Sequence, residues 1–297
     1  MNPSNATAGA PACQGPDLAP RPPRQPLPAG AVDCHAHIFG PSDRFSLAAK
    51  RSYTPPDATL EQYLAMLDAV GLRYGVLVQP SVYGTDNSCM IDAMARSGGR
   101  LRGAVVADAR ALSDATVADW TAKGVCGIRF NSVVPDGLPL DQIGPMAARI
   151  HEIGWHLDLI TDTSDRLIEL EPVLRRLPCP LMIEQMGRIK GGQPVTTPGF
   201  QVLLGLLKDG KAYVKLSHAY HISTSGRPYA DTTPLARACI AAAPDRCVWG
   251  SDWPHPMVHG PMPNDGEILD LLAEWEPDAA RRKAILVDNP TRFYGLR

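Results

Sequence analysis

Two histidines stand two positions apart in the stretch VDCHAHIFGP, at the end of a short apolar run. If this run is a β-strand, His35 and His37 point in the same direction, because side chains alternate along a strand. Far along the chain, a second apolar run ends in VWGSDWPHP and carries Asp252. Imidazole and carboxylate groups bind metal ions and transfer protons, so these three residues are the first candidates for chemistry.

The chain around these stretches alternates short runs rich in Val and Ile with longer segments of helical period. Segments such as TLEQYLAMLDAVG repeat apolar residues every three or four positions, and several end in glycine. Strands alternating with helices predict one α/β domain over residues 31–297, a (β/α)8 TIM-type barrel of parallel strands. We predict its strands at residues 31–37, 74–80, 101–107, 125–130, 155–160, 180–185, 212–217 and 246–252.

A closed barrel places its last strand beside its first, and the active sites of such barrels lie at the carboxyl ends of the strands. Asp252 should therefore lie beside His35 and His37. Two chemistries remain open here. The three residues could hold a divalent metal ion, or they could bind and activate a substrate without one.

Other polar residues at the ends of predicted strands should face the same mouth. Arg129 closes the fourth strand in GIRFN, where it either binds a substrate carboxylate in bidentate fashion or pairs with Glu184. We favour contact with substrate. Further residues that could donate hydrogen bonds to a ligand are Ser81, Tyr83, Gln185, His218 and His221.

The composition argues against several classes of partner. A net charge of -2 disfavours binding to nucleic acid or to an anionic membrane. No apolar run approaches the roughly 20 residues of a membrane span. Seven cysteines without a CxxC pair indicate reduced thiols and a cytoplasmic protein. We expect a small-molecule substrate and a monomer or homodimer.

The first thirty residues differ from the rest of the chain, because they contain eight prolines and no apolar signal region. This composition predicts an extended, flexible arm over residues 1–30. Such an arm either moves freely, which we favour, or crosses the bottom of the barrel or reaches a neighbouring subunit.

Seven motifs occur in order along a stretch of similarity that runs from about residue 27 to the carboxyl terminus: VDCHAHIFGP, RSYTPPDAT, VYGTDN, GIRFN, MGRI, WGSDWPHP and DNPTRFYG. Together they resemble the amidohydrolase superfamily, and more closely its branch of 2-pyrone-4,6-dicarboxylate lactonases and related sugar-lactone hydrolases. The resemblance implies lactone hydrolysis without a metal, in the breakdown of aromatic compounds or sugar acids. It implies that Asp252 is the general base and that His35 and His37 polarise the carbonyl. The residues implied to bind substrate are Arg129, Tyr53 and Ser81.

The sequence departs from this branch in two respects. Glu184 and Gln185 stand where the branch has Asp-His, and Gln185 can donate a hydrogen bond to a carbonyl but cannot take up a proton. No second arginine follows GIRFN, and His221 stands where another arginine would follow the seventh strand. With fewer cationic groups, we expect a lactone with one carboxylate or several hydroxyls rather than a dicarboxylate.

Two other functions are considered beside lactone hydrolysis. Zn or Mn on His35, His37 and Asp252, with His218 as a further ligand, would support an amidohydrolase or decarboxylase reaction. Gln185 argues against a metal because an amide is a poorer ligand than imidazole. Alternatively, the barrel binds a lactone or carboxylate as a sensor, which would gain little from an aspartate beside an uncharged ester.

Overall fold

The computed structural model describes residues 10–134 and 137–296. Within these residues, eight strands form one sheet in chain order, and each neighbouring pair is parallel. This confirms the predicted (β/α)8 barrel. The strands are Val32–Ala36 (β1), Tyr74–Val78 (β2), Leu101–Val105 (β3), Val125–Asn131 (β4), His156–Ile160 (β5), Leu181–Ile183 (β6), Tyr213–Leu216 (β7) and Cys247–Trp249 (β8).

Helices connect the strands or follow the last strand, and all except α3 and α10 contain buried residues. The helices are Leu60–Val70 (α1), Ser88–Arg96 (α2), Asp114–Ala122 (α3), Ile143–Glu152 (α4), Arg166–Leu174 (α5), Pro198–Lys208 (α6), Ala219–Ile222 (α7), Thr233–Ala242 (α8), Asp265–Trp275 (α9), Ala279–Lys283 (α10) and Asn289–Tyr294 (α11).

Helix α1 illustrates how the sequence sets these elements. The Thr59 hydroxyl accepts the Gln62 N–H, and the Gln62 side chain accepts the Thr59 N–H, so both ends of a capping box are present. Tyr63 and Leu67 on its apolar stripe are fully buried. Gly71 ends the helix at a φ of 88°, a conformation that glycine adopts without strain.

The barrel closes through the residues that follow β8. The Asp252 N–H donates to the His35 carbonyl at 2.8 Å, and the His37 N–H donates to the Trp253 carbonyl at 2.7 Å. An isolated bridge joins Ala36 to Trp253. These backbone hydrogen bonds fix Asp252 against the end of β1, as the closed-barrel argument predicts.

Buried Asp33 fastens the same seam. Its carboxylate accepts hydrogen bonds from the N–H and hydroxyl of Ser251, from the His35 N–H and from the Tyr63 hydroxyl. Burial nevertheless raises the pKa of Asp33 to about 6, although these donors favour its ionised form. The carboxylate therefore ties the segment after β8 both to β1 and to α1.

Most strands end one to three residues before the predicted bounds, and at β6 and β8 the early end involves site residues. β6 ends at Ile183 and β8 at Trp249, whereas the pattern extends these strands to residues 185 and 252. Gln185 and Asp252 have φ values of 52° and 67°, in the left-handed region that breaks an extended strand. An apolar run carries no signal for such a left-handed turn. At Gln185 and at Asp252, the turn points the side chain in a direction that a continued strand would not give.

The amino-terminal segment follows the outside of the barrel from residue 10 onward. The Cys13 N–H donates to the Thr54 carbonyl at 3.0 Å. Farther along, the backbone N–H and guanidinium of Arg24 both donate to Asp270, at 2.7 and 2.9 Å. The first nine residues of the predicted arm lie outside the described residues, and the flexibility of the arm stays a prediction.

All seven cysteines lie within the described residues and have free thiols, as the sequence indicates. Five of the seven are buried, which makes them small apolar core residues rather than reactive groups. In the described ranges, no helix combines the length and apolarity needed to cross a bilayer.

Candidate active site

His35, His37 and Asp252 meet at the carboxyl ends of β1 and β8, as the sequence predicts. Oδ1 of Asp252 lies 3.2 Å from Nε2 of His35 and 3.5 Å from Nε2 of His37. The three residues are at most 5% exposed. Charges and hydrogen bonds act more strongly in such a site than in water, because the local dielectric is low.

The other carboxylate oxygen of Asp252 is held by two donors. Nδ1 of His218 lies 2.5 Å from Oδ2, and the Tyr220 hydroxyl donates to the same atom. Burial by itself raises the pKa of Asp252, but the contacts with His218 and His35 lower it by more, so it lies well below the usual value. Asp252 is therefore ionised at neutral pH, with Oδ2 engaged and Oδ1 facing the two histidines.

The neighbours of the two histidines assign their tautomers. Nζ of Lys215 lies 3.4 Å from Nδ1 of His35, and because an ammonium only donates, the His35 proton belongs on Nε2. Nδ1 of His37 lies 2.7 Å from the Val78 carbonyl, which only accepts, so that nitrogen carries the proton. Burial lowers the pKa of His35 to about 4. His35 thus presents an N–H toward Asp252, whereas Nε2 of the Nδ1-protonated His37 tautomer presents a lone pair.

Beneath the cluster lie two buried ion pairs. Nε and Nη2 of Arg129 donate to Glu184 at 3.1 and 2.7 Å, and Nη1 donates to the Gln79 carbonyl at 2.9 Å. Nζ of Lys215 lies 2.8 Å from Asp158 and 3.7 Å from Glu184. The bidentate contact with Glu184 is one of the two alternatives that the sequence leaves open for Arg129.

A cavity of about 380 Å³ opens at the carboxyl ends of β2, β3 and β4. It adjoins the cluster through Arg129, whose partner Glu184 lies 3.9 Å from Nδ1 of His35. Its volume falls in the range of small-molecule sites. Polar residues in its lining include Arg51, Ser52, Gln79, Ser81, Arg129 and Asn131.

The amidohydrolase family pattern matches residues 32–296. The chain belongs to the amidohydrolase family. It is 40% identical to 4-sulfomuconolactone hydrolase of Rhizobium radiobacter over 97% of this chain and 98% of that protein. It is 37% identical to 2-pyrone-4,6-dicarboxylate hydrolase of Comamonas testosteroni over 93% of each chain. A Pseudomonas putida crystal structure assigned as a 2-pyrone-4,6-dicarboxylic acid hydrolase superposes with a TM-score of 0.77 at 32% identity, covering 91% of this chain and 99% of that one.

These matches confirm the resemblance that the motifs indicate, and they show that this amidohydrolase is an enzyme. The similarity extends over the full barrel and includes the seam where β1 meets the residues after β8. The cluster described above therefore lies in the part of the chain that this family shares.

The cluster of this amidohydrolase fits a divalent cation by distance. Zinc–nitrogen bonds of about 2.0–2.1 Å put neighbouring ligands of a tetrahedral site about 3.3–3.4 Å apart. The observed separations from Asp252 are 3.2 Å to His35 and 3.5 Å to His37. His37 also has the required tautomer. His35 fits less well, because the Lys215 ammonium faces the nitrogen that would have to carry the proton.

Two of the predicted binding histidines lie beside Asp252 on the β7 side. His218 touches its carboxylate, and His221 stacks on His218 with ring centroids 4.3 Å apart. Nε2 of His221 donates to the Pro256 carbonyl at 3.0 Å. Burial lowers the pKa of His221 to about 4, so this ring is neutral and does not replace an arginine.

The remaining predicted residues occupy more varied positions. Tyr53 is buried, and its hydroxyl lies near Ser81. Tyr83 is buried too, and its oxygen accepts the Gly40 N–H at 2.8 Å, which ties it to the loop after β1. Oε1 of Gln185 lies 3.4 Å from Nη1 of Arg188. Their contacts with substrate stay predictions.

The structure brings four further residues, which were not predicted from the sequence, to the His–Asp cluster and the adjoining cavity. Lys215 interrupts apolar β7 in the way that Arg129 interrupts β4, so the same reasoning could have found it. Arg188 and Arg51 stand inside the MGRI and RSYTPPDAT motifs. Tyr220 carries no sequence signal, because its contact with Asp252 depends on the turn after β7.

Proposed function

We propose that this amidohydrolase hydrolyses a carboxylated lactone, opening the ring by attack of water. The proposal rests on the cluster in which the Asp252 carboxylate faces an N–H of His35 and a lone pair of His37. Lactone hydrolysis needs a base for water and a donor for the developing oxyanion, and the cluster offers both. Relatives named for hydrolysis of 4-sulfomuconolactone and 2-pyrone-4,6-dicarboxylate support this reaction class.

The assigned tautomers give the two histidines different roles, since Nε2 of His37 accepts a hydrogen bond and Nε2–H of His35 donates one. Oδ1 of Asp252 and Nε2 of His37 are two acceptors 3.5 Å apart, which suits a water molecule that donates to both. Asp252 takes a proton as the water oxygen attacks the lactone carbonyl carbon. The Nε2–H of His35 then donates to the oxyanion. When the ring C–O bond breaks, the proton returns from Asp252 to the leaving oxygen, and a carboxylic acid and a hydroxyl result. The acid then releases its proton to solvent and becomes a carboxylate.

The contacts around the cluster support this assignment of roles. His218 and Tyr220 occupy Oδ2 of Asp252, which leaves Oδ1 as the atom that accepts the proton. Lys215 keeps Nδ1 of His35 an acceptor and thereby aims an N–H at the reacting group. A Zn²⁺ or Mn²⁺ ion on His35, His37 and Asp252 would, when bound, polarise the carbonyl and lower the pKa of water. We favour a site that works without it.

Substrate binding is proposed at the adjoining cavity. Three of the five N–H groups of Arg129 are used by Glu184 and Gln79, so two remain for a substrate carboxylate. Ser81 lines the cavity, and the Tyr53 hydroxyl lies beside it. We place the lactone ring between these residues and the His–Asp cluster.

A panel of substrates tests the proposed function. Purified enzyme would be assayed on 2-pyrone-4,6-dicarboxylate, 4-sulfomuconolactone, a monocarboxylated lactone and glucono-δ-lactone, with ring opening followed by acid release. We expect turnover of at least one carboxylated lactone well above that of an Asp252→Asn preparation. Amide hydrolysis or release of carbon dioxide without lactone turnover would overturn the proposal. Tight lactone binding without turnover would identify a sensor instead.

A further inference from the structure

We propose that Arg51 recognises a second anionic substituent of the lactone, which makes Arg51 a specificity-determining residue. The names of two relatives, 2-pyrone-4,6-dicarboxylate hydrolase and 4-sulfomuconolactone hydrolase, already point to lactones with two anionic groups, and Arg51 is the residue that we assign to the second group. This inference rests on the proposed function and deepens it. It also replaces the expectation of a single carboxylate, which depends on the missing arginine after GIRFN.

The charges in the cavity differ in how they are compensated. The guanidinium of Arg129 is paired on two nitrogens with Glu184. Arg51 lines the same cavity, and no carboxylate among the described residues pairs with it. A guanidinium does not lose its proton in proteins, so Arg51 keeps this part of the cavity positive.

Arg51 is also held in one orientation. Its Nη1 donates to the Ala48 carbonyl at 2.8 Å, and its Nε donates to the Thr54 hydroxyl at 3.0 Å. Nη2 has no partner among the described residues, so its N–H groups are available to a ligand. A guanidinium that is already oriented loses less conformational entropy when it binds an anion.

The amino-terminal segment completes this support. The Thr54 hydroxyl donates to the Ala10 carbonyl at 2.9 Å while it accepts from Arg51. The Thr54 N–H donates to the Pro11 carbonyl at 2.7 Å. Residues 10 and 11 thus brace the loop that carries Arg51, which links the arm to the recognition of substrate.

The remaining lining of the cavity suits an anion as well. Lys50 adds an ammonium group, Ser52, Ser81 and Asn131 add neutral polar groups, and no carboxylate side chain belongs to the described lining. An anionic substituent would therefore meet donors from Arg51 on one side and from Arg129 on the other without facing a like charge. Hydrogen bonds to charged groups are about twice as strong as neutral ones, so the effect on affinity should be large.

Matched substrates test the role of Arg51. Wild type and Arg51→Gln would be compared on 2-pyrone-4,6-dicarboxylate and on the two corresponding monocarboxylates. We expect Arg51→Gln to raise KM for the dicarboxylate about 10- to 100-fold with little change in kcat, the loss expected for one charged hydrogen-bonding partner. KM for one of the two monocarboxylates, the one that lacks the group bound by Arg51, should not change.

Three control variants separate recognition from stability. Arg44→Gln removes the same charge from the same loop, but Arg44 pairs with Asp92 outside the cavity, so KM should not change. Arg51→Lys keeps the charge and should recover part of the affinity. Thr54→Val removes the brace and should raise KM for the dicarboxylate by a smaller factor than Arg51→Gln does.

The outcomes that overturn the inference differ from those that overturn the proposed function. Dicarboxylate turnover with an unchanged KM in Arg51→Gln would reject the role of Arg51 and leave lactone hydrolysis intact. An equal loss on all three pyrones, with a lowered melting temperature, would assign Arg51 a structural role only. A wild-type enzyme that opens no lactone would reject the proposed function itself.

Discussion

The buried cations Lys215 and Arg129 differ from Arg51, at the neighbouring cavity, in the partners that they contact. Beneath the His–Asp cluster, Lys215 contacts Asp158 at 2.8 Å, and Arg129 makes a bidentate contact with Glu184. At the neighbouring cavity, Arg51 has only the Ala48 carbonyl and a hydroxyl as partners among the described residues. Lys215 and Arg129 are buried inside the barrel, whereas Arg51 lines the space where a ligand would bind.

The presence or absence of an internal counter-charge indicates what each cation does. Burying a charge is costly unless a partner compensates it, so the paired cations form a fixed layer that orients other groups. Lys215 illustrates this, because its contact assigns the proton of His35 to Nε2. An oriented cation without an internal counter-charge keeps its capacity for an external anion. The paired layer should therefore control stability and chemistry, whereas Arg51 should control substrate choice.

The largest effect is expected from Asp252→Asn. In the proposed mechanism the carboxylate accepts the proton from water, and general-base catalysis contributes on the order of 10²–10⁴-fold to turnover. Asparagine tolerates the left-handed backbone of this position, so the fold should persist. The measurement is kcat on the best lactone together with thermal unfolding. Near-normal turnover by a folded variant would show that Asp252 is not the base.

Removal of Lys215 should test the paired layer. Lys215→Met leaves the buried Asp158 charge without its ammonium, and breaking a buried pair costs about 3–5 kcal/mol in the free energy of unfolding. Lys123→Met is the matched control, because Lys123 pairs with Asp119 at the surface, where such pairs contribute about 0–1 kcal/mol. Urea denaturation measures both. Equal losses in the two variants would contradict the comparison.

Asp158, the partner of Lys215, also contacts His156, and this contact should make the free energy of unfolding depend on pH. Burial by itself lowers the pKa of His156, but Asp158, 3.6 Å away, raises it by more, to about 9. Because the folded-state pKa exceeds the unfolded value of about 6.5, this contribution is complete below pH 6.5 and is lost as the pH rises toward 9.

Urea denaturation between pH 7 and 9 avoids most of the titration of Asp33, whose pKa is about 6. We expect the free energy of unfolding of the wild type to fall by about 1–3 kcal/mol over this range, since one pKa unit corresponds to about 1.4 kcal/mol. His156→Gln should show a smaller fall. If the variant lost as much stability as the wild type, another group would be responsible.

The smallest effect is expected from metal removal. Since Lys215 faces Nδ1 of His35, we expect dialysis against a chelator to leave lactone turnover nearly unchanged, with a metal content near zero per chain. One metal ion per chain, together with activity that is lost on chelation and restored by Zn²⁺ or Mn²⁺, would contradict this. Asp252, His35 and His37 would then be ligands, and Lys215 would have to act differently.

The architecture could be predicted because it depends on local patterns. The helical period of residues 60–70 and the Gly71 stop define α1 without reference to the rest of the chain. Alternation of strands and helices then leads to a parallel barrel. The ends of β6 and β8 were beyond this reasoning, because the left-handed turns at Gln185 and Asp252 leave no trace in an apolar run.

The candidate site was partly predictable for a related reason. Closure of a barrel joins its first and last strands, so His35, His37 and Asp252 could be placed together from sequence order alone. For Arg129 the sequence analysis favours substrate over Glu184, whereas the structure shows a bidentate contact with Glu184. The sequence could not predict this contact reliably, because either partner satisfies a buried guanidinium. The position of Arg51 at the cavity could not be predicted, because it depends on a loop and on the segment at residues 10 and 11.

The sequence by itself determined the barrel, the family and the meeting of His35, His37 and Asp252, since periodicity, strand order and motif order are properties of the chain. Only the tertiary structure decided the tautomers of His35 and His37 and the contrast between paired Arg129 and Lys215 and Arg51, which has no carboxylate partner among the described residues. These depend on donors and acceptors that meet across the barrel, such as Lys215 with His35 or Val78 with His37. A single hydrogen bond of this kind changes the chemistry of a nitrogen without changing any pattern in the sequence.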